Sequence, residues 1–515
     1  MQGRFIKRPG DEIRITHNAS RTTCYASRVT LIKKGIYMKL TNENLIKCLK
    51  ETPPEELVRI CRECQKIATY DKIKDDRLKS DPMPVTVFPV PYIVTKDIIK
   101  NVTGKLDIFI DGLIKLEQHI LCDRGGPLYN RLMNSLTPGG RHLVEECTFE
   151  SDYSLRRRHR RIDGYLNFFT GEFSIIEVNQ AAPLAIDFYD VSQRMASHFL
   201  NSLGFFYQPV LLAHHILNWF VDEYTYRYAG KFPHNIALVI EHGYLPKFID
   251  LPRMALICEE LAREKYGEKL SIKVCFPYEI SLSGEKIMFD NHEVDMIWRN
   301  SVYMTKYREE GLNIKDYETI CHNPDKYLII NATRVWLTRT KEVFSLLSNE
   351  ECRKEIGLSE EEDRIIKEIV PYSVNLKYET QVTETVIKEK DLWITKPADA
   401  GFGKGVEFGA AHSEKSWISI IKERTEQDGF IFQKRVTYPT IRVTDIDDDG
   451  HLINHRVEYD FCPHHINGAF TGTALTRTNV LEEKGKVKKM NLVGGGIILP
   501  VIGAEACPPL QKYYV

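Results

Sequence analysis

The sequence predicts a mixed α/β protein with more than one domain, and three observations support this. The chain has 515 residues, 43% of them hydrophobic, which is enough to form several buried cores. Two strand-like stretches joined by a short turn lie within residues 161–183, and strand, helix and strand patterns follow one another over residues 234–300. After residue 380, strand patterns predominate up to about residue 500.

Helical patterns occupy most of the remaining chain. The segments with helical spacing of apolar residues are 42–50, 54–69, 106–121, 190–229 and 359–370. The pair Pro53-Pro54 is typical of a helix start, and Pro371 follows the last of these segments. Residues 1–150 are therefore predicted to be mixed and largely helical, and they contain no motif to which we assign chemistry.

The segment RIDGYLNFFTGEFSIIEVNQAAP, residues 161–183, has the features of a magnesium site. A turn around Thr170-Gly171 would bring the strand that carries Asp163 beside a returning strand with Glu177 and Asn179. Side chains alternate along a strand, so Glu177 and Asn179 would point to the same side. Mg²⁺ prefers such oxygen ligands and usually completes its shell with nucleotide phosphates. The alternative is a half-buried hairpin whose polar face is only solvated.

Residues 393–409, WITKPADAGFGKGVEFG, predict a phosphate-binding hairpin. Glycines leave the backbone able to approach a polyanion closely, and lysines supply positive charge. The residues concerned are Lys396, Gly401, Gly403, Lys404 and Gly405. The pattern is neither a Walker P-loop nor a dinucleotide fingerprint, and an ordinary β-hairpin is the alternative.

A short strand is predicted next, at residues 430–436, FIFQKRV. A strand of this kind can line an adenine slot and offer it backbone groups, with Gln433 and Arg435 as its polar ends. We therefore expect a nucleotide between this strand and the glycine-rich loop.

Composition and charge limit the partners and the compartment. A formal net charge of -1 gives no long-range basic field, so we expect no nucleic-acid partner. In the basic run RRRHRR at residues 156–161, only Arg161 is predicted to enter the site. No stretch approaches the roughly 20 apolar residues of a membrane span, and the first residues lack the apolar core of a signal peptide. We expect a cytoplasmic protein without a membrane partner.

The cysteines and histidines do not predict a metal site. Only Cys61 and Cys64 form a C-x-x-C pair, and their helical context indicates reduced packing cysteines. His464 and His465 are interpreted as part of a turn before Asn467-Gly468, because adjacent side chains in an extended segment point apart.

The order of these motifs resembles the ATP-grasp superfamily in its circularly permuted branch. Ordinary ATP-grasp enzymes begin with a pre-ATP-grasp domain, continue with the lysine and glycine loop, and end with strands that carry R-x-D and E-x-N. Here the R-x-D and E-x-N elements at residues 161–179 come first, and a stretch resembling the pre-ATP-grasp domain follows at residues 234–300. In INATRVWLTRTKEVFSLLSNE, Asn331 and the nucleotide-facing Lys341 match family positions. The resemblance covers about residues 150–500.

Three arginines complete the site that the resemblance implies. Arg456 and Arg477 match two arginines of the permuted family and are expected to contact transferred phosphate or acyl phosphate, for which a planar, permanently charged fork is suited. Their alternative is a surface ion pair. Arg299 ends the strand DMIWRN and is expected to line the shared cleft, because open α/β sheets bind ligands beyond the carboxyl ends of their strands.

The resemblance implies a circularly permuted ATP-grasp fold with an inserted pre-ATP-grasp α/β domain. Residues 151–230 would form the metal-binding part, residues 231–330 the inserted domain and residues 331–515 the nucleotide-binding part. The implied activity joins a carboxylate and an amine, as small molecules or peptides, through an acyl phosphate. The cofactors would be ATP and Mg²⁺, with Asp163, Glu177 and Asn179 on the metal. A homo-oligomer is left open.

Two alternatives remain beside amide ligation. One is a phosphotransferase or acid-thiol ligase on the same scaffold, and the other is a non-catalytic protein that keeps the fold. The chain departs from the usual family pattern in its glycine loop, where Lys404 separates Gly403 from Gly405, and at Lys434, where the family often has an acidic residue. These departures leave the nucleotide preference open.

Overall fold

The computed structural model describes residues 39–68, 86–146, 157–181, 183–242, 250–300, 302, 304–331, 334–401, 403–481 and 496–504. The α-helices within these residues are α1 Asn42–Glu51, α2 Pro54–Ala68, α3 Lys96–Cys122, α4 Pro127–Ser135, α5 Pro138–Glu146, α6 Ile186–Ser202, α7 Leu212–Arg227, α8 Asp250–Tyr266, α9 Met304–Glu309, α10 Lys315–His322, α11 Val335–Thr338, α12 Glu342–Ser348, α13 Glu350–Glu355, α14 Glu360–Ile369, α15 Thr383–Lys388 and α16 Glu414–Glu426.

The strands of the same residues are β1 Tyr92–Thr95, β2 Arg160–Leu166, β3 Phe173–Asn179, β4 Asn235–Ile240, β5 Ser271–Cys275, β6 Ser281–Ser283, β7 Lys286–Phe289, β8 His292–Val294, β9 Met296–Asn300, β10 Ile329–Ile330, β11 Ser373–Val374, β12 Trp393–Pro397, β13 Glu407–Phe408, β14 Phe430–Lys434, β15 Thr440–Ile446, β16 Leu452–Tyr459, β17 Cys462–Ile466, β18 Ala469–Leu475, β19 Arg477–Val480, β20 Ile497–Ile498 and β21 Val501–Ala504. The predicted mixture of helices and strands is confirmed.

A parallel sheet lies in the middle of the chain, with the strand order β10-β9-β4-β5. Alternate side chains of β4 enter different cores, since Ala237 lies in one and Ile236 and Leu238 lie in the other. Helices α6, α7 and α8 supply much of the second core. A parallel sheet must be covered on both faces, which explains the continuous apolar run NIALVI in β4.

The predicted hairpin at residues 161–183 is confirmed as β2 and β3, which pair antiparallel within the sheet β18-β17-β2-β3. The turn places Gly171 at φ 76°, in the left-handed region that favours glycine. Ile162 and Val178 lie opposite each other and enter a hydrophobic core. The other face of the hairpin is therefore left for its polar side chains.

The glycine-rich hairpin is also confirmed. Strands β12 and β13 pair antiparallel in the sheet β11-β14-β12-β13, and the glycine-rich loop connects them. Helix α16 packs on this sheet through Trp417, which shares a small core with Trp393 and Phe432. This helix and α15 interrupt the strand-rich region that the sequence predicts after residue 380.

The described parts of the N-terminal region, residues 39–68 and 86–146, are mostly helical, as predicted, and α3 is longer than the predicted segment 106–121. Helices α1 and α2 share a core with α6, and this core includes Cys61 and Cys64, in agreement with their predicted packing role. Glu117 of α3 is buried and accepts two hydrogen bonds from Arg158, at 2.9 and 3.0 Å, and one from Arg334. Through these arginines α3 is fixed to the segments before β2 and α11.

Two further predictions are decided by the fold. The turn at Asn467-Gly468 is confirmed by positive φ values at both residues, but the assignment of His464 and His465 to that turn is wrong. Both histidines lie in β17, because β17 pairs with β2 and buries them. Within the part of the chain that the structure describes, no helix has the length and apolar character needed to cross a membrane.

Candidate functional site

The hairpin β2–β3 places four predicted site residues on one face. Asp163 lies directly opposite Glu177, and Arg161 lies directly opposite Asn179. Side chains of directly opposed residues in an antiparallel pair point to the same side, about 5 Å apart at their Cβ atoms. The face opposite to Ile162 and Val178 is therefore a concentrated polar surface at the open end of the hairpin.

Asp163 is the centre of a buried group of ion pairs. Its Oδ1 accepts a hydrogen bond from Arg161 Nε at 2.7 Å, and its Oδ2 accepts from Arg477 Nη2 at 3.0 Å. Arg477 also donates from Nε to Asp460 Oδ2 at 2.7 Å. Burial raises the pKa of Asp163, but the charges of Arg161 and Arg477 outweigh it and hold the pKa well below its ordinary value. Asp163 is therefore ionised at neutral pH.

Glu177 links the hairpin to the second half of the sequence. Its Oε1 accepts a hydrogen bond from Lys341 Nζ at 2.8 Å, and the same Nζ donates to the carbonyl oxygen of Ala400 at 2.6 Å. The backbone N–H of Lys341 also donates to Ala398 O at 2.8 Å. Lys341 thus lies between the hairpin and the glycine-rich loop, and its contact with a nucleotide stays a prediction.

Lys396 is the second lysine of this site and is more deeply buried. Its Nζ donates to Ile176 O at 3.0 Å and to Gln433 Oε1 at 2.8 Å, so it contacts the hairpin and strand β14. Burial lowers the pKa of Lys396 to about 7, and the charge of Lys341 acts in the same direction, while Glu177 opposes it. A buried lysine without a carboxylate partner of its own is suited to receive an anion.

The oxygen ligands present fit a magnesium ion. Asn179 Nδ2 is buried and has no hydrogen-bond partner among the described residues, and the amide nitrogen and oxygen of such a side chain are assigned only from their partners. Glu177 is 27% exposed and has one lysine contact, so it retains acceptor capacity. Asp163 accepts three hydrogen bonds from its two arginines, which leaves one of its roughly four lone-pair sites unused. Two carboxylates and an amide are ligands that Mg²⁺ accepts.

The glycine-rich loop is fixed at its beginning. Asp399 Oδ2 accepts hydrogen bonds from the N–H and the hydroxyl of Thr137, both at 2.8 Å, and Asp399 Oδ1 pairs with Arg339 at 2.8 Å. Gly405 has φ +70°, and a Cβ atom there would lie 2.8 Å from Pro397 Cγ. At Gly401 a Cβ atom would meet nothing within 4 Å. Gly403 also has a positive φ, 66°, so the backbone favours glycine at residues 403 and 405 but not at residue 401.

Arg299 lies at the carboxyl end of β9 and is buried. The neighbouring strand β10 leads to Asn331, whose side chain accepts from the N–H of His159 and donates to Gln180 O at 2.9 Å. His159 precedes β2 and Gln180 follows β3, so this sheet edge lies against the open end of the hairpin. The location agrees with the predicted cleft, and a ligand contact of Arg299 stays a prediction.

Three predicted site residues lie outside the cluster formed by the hairpin residues around Asp163, the two lysines and Arg477. Arg456 is exposed on β16, and Arg435 is exposed beside Phe408, whose ring centre lies 5.7 Å from its guanidinium carbon. Lys404 is exposed in the glycine-rich loop. Among the residues described, no hydrogen bond or ion pair connects the Arg456 side chain to Asp163. Roles for these side chains at a bound nucleotide remain predictions.

The structure adds residues that the sequence motifs did not indicate. Asp460 orients Arg477, and Asp399 anchors the loop. His464 Nδ1 lies 2.9 Å from His159 Nε2, and burial lowers the pKa of His464 to about 3, so the pair is neutral. Only the pairing of β17 with β2 brings His464 opposite Arg161, and no spacing in the sequence signals this.

Comparison with known proteins gives a likeness of fold and no family match. No protein-family model matches the chain, and a search of curated proteins gave no match. Among solved structures, the apo form of GSS30, a glutathione synthetase-like effector from Globodera pallida, matches with a TM-score of 0.56. The sequence identity is 9%, and the match covers 87% of this chain and 97% of that chain. The chain shares the fold of this effector.

Two other solved structures show weaker likeness. D-cycloserine synthetase DcsG has a TM-score of 0.25 and 14% identity, over 48% of this chain and 75% of that chain. The ATP-grasp ligase PsnB, in complex with a precursor variant, Mg and ADP, has a TM-score of 0.27 and 16% identity, over 52% of this chain and 88% of that chain. These TM-scores are too low to establish a common fold.

Proposed function

We propose that the chain is an ATP-dependent carboxylate–amine ligase with a circularly permuted ATP-grasp fold. In this proposal ATP phosphorylates a carboxylate, an amine displaces the phosphate, and ADP and phosphate leave. The parallel sheet of β4, β5, β9 and β10 would be the pre-ATP-grasp domain inserted between the two parts of the nucleotide site. The predicted domain boundaries at residues 150, 230 and 330 belong to the same proposal.

One observation supports this function above all. Lys341 and Lys396, which come from the second half of the chain, contact Glu177 and the backbone of Ile176 in the hairpin. Two lysines, one carboxylate and the glycine-rich loop therefore meet in one place. Such a combination is suited to polyphosphate, because cations spread the negative charge and loop N–H groups approach it closely.

The proposed reaction needs positioning and charge stabilisation rather than a side-chain nucleophile. One carboxylate oxygen of the acid attacks the terminal phosphorus of ATP, the bond to the bridging oxygen breaks, and ADP leaves with that electron pair. The amine then attacks the acyl carbon, loses a proton, and releases inorganic phosphate that retains the attacking oxygen. Arg161 and Arg477 lie where they can bind negative charge on the transferred group.

The remaining residues have supporting roles in the proposal. Asp163, Glu177 and Asn179 would hold Mg²⁺, which when bound neutralises charge on phosphate oxygens. Lys341 and Lys396 would bind phosphate oxygens, and the backbone of β14 would lie beside the adenine ring. Gln433 orients Lys396 through Oε1 while its Nε2 donates to Ser373 Oγ at 2.8 Å.

The site assignment is tested with matched variants. Lys396→Met and Glu177→Gln should each reduce ATP consumption with the cognate acid and amine by roughly 100-fold or more, as for loss of a group that binds transition-state charge. Lys415→Met is the control, because Lys415 is exposed on α16 and outside the proposed site. Wild-type turnover in either site variant would show that the assignment is wrong.

The acyl phosphate is tested with an isotope. An acid substrate labelled with ¹⁸O in its carboxylate should transfer one label to inorganic phosphate. Label found in AMP would indicate adenylation and would contradict the proposed reaction. A stable phosphorylated product or a thioester would instead identify the phosphotransferase or the acid-thiol ligase.

A non-catalytic binding protein is the second candidate, and one observation favours it. Arg161 and Arg477 already neutralise Asp163 within the protein, so this carboxylate is less available to a metal than a solvated one. A binding protein would bind ATP, measured by calorimetry, without forming ADP with any acid and amine. The ligase would form ADP in continuous turnover when the acid and the amine are both present.

A further inference from the structure

A cavity of about 660 Å³ lies outside the cluster around Asp163. Its floor is one face of the hairpin β15–β16, and its walls come from α1, the segment before β1 and the turn between β2 and β3. Its size falls within the roughly 300–1,000 Å³ that is typical of small-molecule sites. None of the roles proposed above accounts for the cavity.

Two arginines face each other on the floor of this cavity. Arg442 and Arg456 are directly opposed partners in the β15–β16 register, and both line the cavity. Like charges in such a pair destabilise a sheet by up to about 1 kcal/mol. Among the described residues, neither guanidinium forms a hydrogen bond or an ion pair. Burial raises the pKa of Glu458, and the charge of the nearby Arg456 only partly opposes this rise. The paired positive charge therefore lacks a full counter-ion.

The walls of the cavity are apolar and aromatic. Leu45, Pro91 and Tyr92 line it, and Phe169 lies at its edge with 73% of its surface exposed. A large exposed phenylalanine beside arginines is a combination that favours a ligand with an apolar body and an anionic end. Asn42 exchanges hydrogen bonds of 2.8 and 2.9 Å with the backbone of Ile93, which fixes α1 against this wall.

We infer that this cavity binds a small organic oxyanion, a carboxylate or phosphate carried on an apolar or aromatic body. Arg442 and Arg456 would bind the oxyanion, and Tyr92 and Phe169 would contact the body. The cavity is separate from the cluster around Asp163, because its lining includes none of Arg161, Asp163, Glu177, Lys341, Lys396 and Arg477. This assignment of Arg456 replaces its predicted contact with transferred phosphate. The inference goes beyond ATP-dependent ligation and does not require it.

Ligand-observed NMR titration at low salt, without nucleotide, provides the test. Three probes share one ring and differ in the charged group: phenylacetate, phenyl phosphate and neutral phenylacetamide. We expect one or both anions to bind and the amide to bind at least about fivefold more weakly, which corresponds to about 1 kcal/mol. The anion that binds more tightly identifies carboxylate or phosphate as the group recognised.

Variants show whether the binding occurs in this cavity. Arg442→Gln and Arg456→Gln should each weaken binding of the preferred anion by about fivefold or more. Ile46→Trp should weaken it by filling the cavity while both charges remain. Arg364→Gln is the matched control, since Arg364 is an exposed arginine on α14. Circular dichroism should show that each variant is folded.

Three results would overturn the inference. The first is equal binding of the amide and the anions. The second is wild-type affinity in both Arg442→Gln and Arg456→Gln. The third is no binding of either anion at a concentration of about 20 mM, because a specific small-ligand site would bind its anion at a lower concentration. A failure of ATP consumption would leave the inference unaffected, because no nucleotide is present. Retained anion binding in Lys396→Met would show directly that the two sites are separate.

Discussion

Lys396 has an unusual environment for an ammonium group. It is buried, lies near Lys341, and its two hydrogen-bond acceptors are a backbone carbonyl and the amide oxygen of Gln433. Neither acceptor carries a full negative charge, so the protonated form is poorly compensated until an anion binds. The energetic cost of this arrangement makes a functional role for Lys396 more reasonable than a structural one.

The environment of Lys396 predicts a pH dependence of stability. Its pKa falls from 10.5 to about 7 on folding, so between these pH values the unfolded chain holds a proton that the folded chain has released. The free energy of unfolding of the wild type should therefore rise with pH across this range, relative to Lys396→Met. Urea denaturation at pH 7, 8.5 and 10 measures the difference. Lys404→Met is the control, and a difference that does not change with pH would contradict the predicted pKa.

The two C-terminal arginines should differ in their effect on stability. Arg477 is 13% exposed and pairs with Asp163 and Asp460, so Arg477→Met leaves a buried carboxylate unpaired and should cost about 3 kcal/mol. Arg456 is exposed without a partner of that kind, and Arg456→Met should cost less than about 0.5 kcal/mol. Urea denaturation of both variants at neutral pH tests the contrast. Equal losses would mean that the Asp163 ion pairs do not stabilise the fold.

The glycine-rich loop between β12 and β13 is held by hydrogen bonds and an ion pair at its start and has a glycine in the left-handed conformation near its end. Asp399 is held by Thr137 and Arg339, and Lys341 binds the carbonyl oxygen of Ala400. Beyond these anchors Gly405 has a left-handed backbone conformation close to Pro397. The loop is thus held by contacts with the segment between α11 and α12 and with the segment after α4, and it is not an isolated hairpin turn.

The loop geometry predicts unequal effects of alanine at two glycines. Gly405→Ala should destabilise by about 1–2 kcal/mol, because alanine disfavours positive φ and its Cβ would contact Pro397. Gly401→Ala should change stability by less than about 0.5 kcal/mol, since a Cβ atom there has open space. Thermal denaturation of the two variants measures the contrast. A more destabilising change at Gly401 would show that the loop conformation is different.

Considered over the whole molecule, the local elements were predictable from the sequence and the connections between them were not. Period-two and helical patterns predicted the hairpin β2–β3, the succession of strands and a helix over residues 234–300, and the helices α1, α2, α3, α6, α7 and α14, because these patterns depend on nearest neighbours. The order of motifs predicted one nucleotide site built from both halves of the chain, but it did not predict the contact between Lys341 and Glu177. The bounds of α3 and the presence of α16 were not predicted, since weak periodicity does not determine where a helix begins and ends.

Long-range partners explain what the sequence did not reveal. The role of Asp460 was not predictable from spacing, because only the pairing of β16 with β19 brings this residue, which follows β16, to Arg477. Gln433 likewise bridges Lys396 and Ser373 instead of ending a strand freely. Arg456 and Arg477 looked equivalent as motif residues, but Arg456 is exposed on the floor of the cavity and Arg477 is buried beside Asp163. Burial and charge pairing follow from tertiary packing, which residue spacing alone does not determine.

The claim of ATP-dependent ligation is tested most directly by product analysis. The purified chain would be incubated with ATP, Mg²⁺ and fractions of a metabolite extract, and nucleotides and new masses would be measured by mass spectrometry. The proposal predicts ADP and phosphate in particular fractions, together with a product equal in mass to an acid plus an amine minus water, and neither with Lys396→Met. Formation of AMP and pyrophosphate, or a new amide that Lys396→Met produces at the wild-type rate, would contradict it.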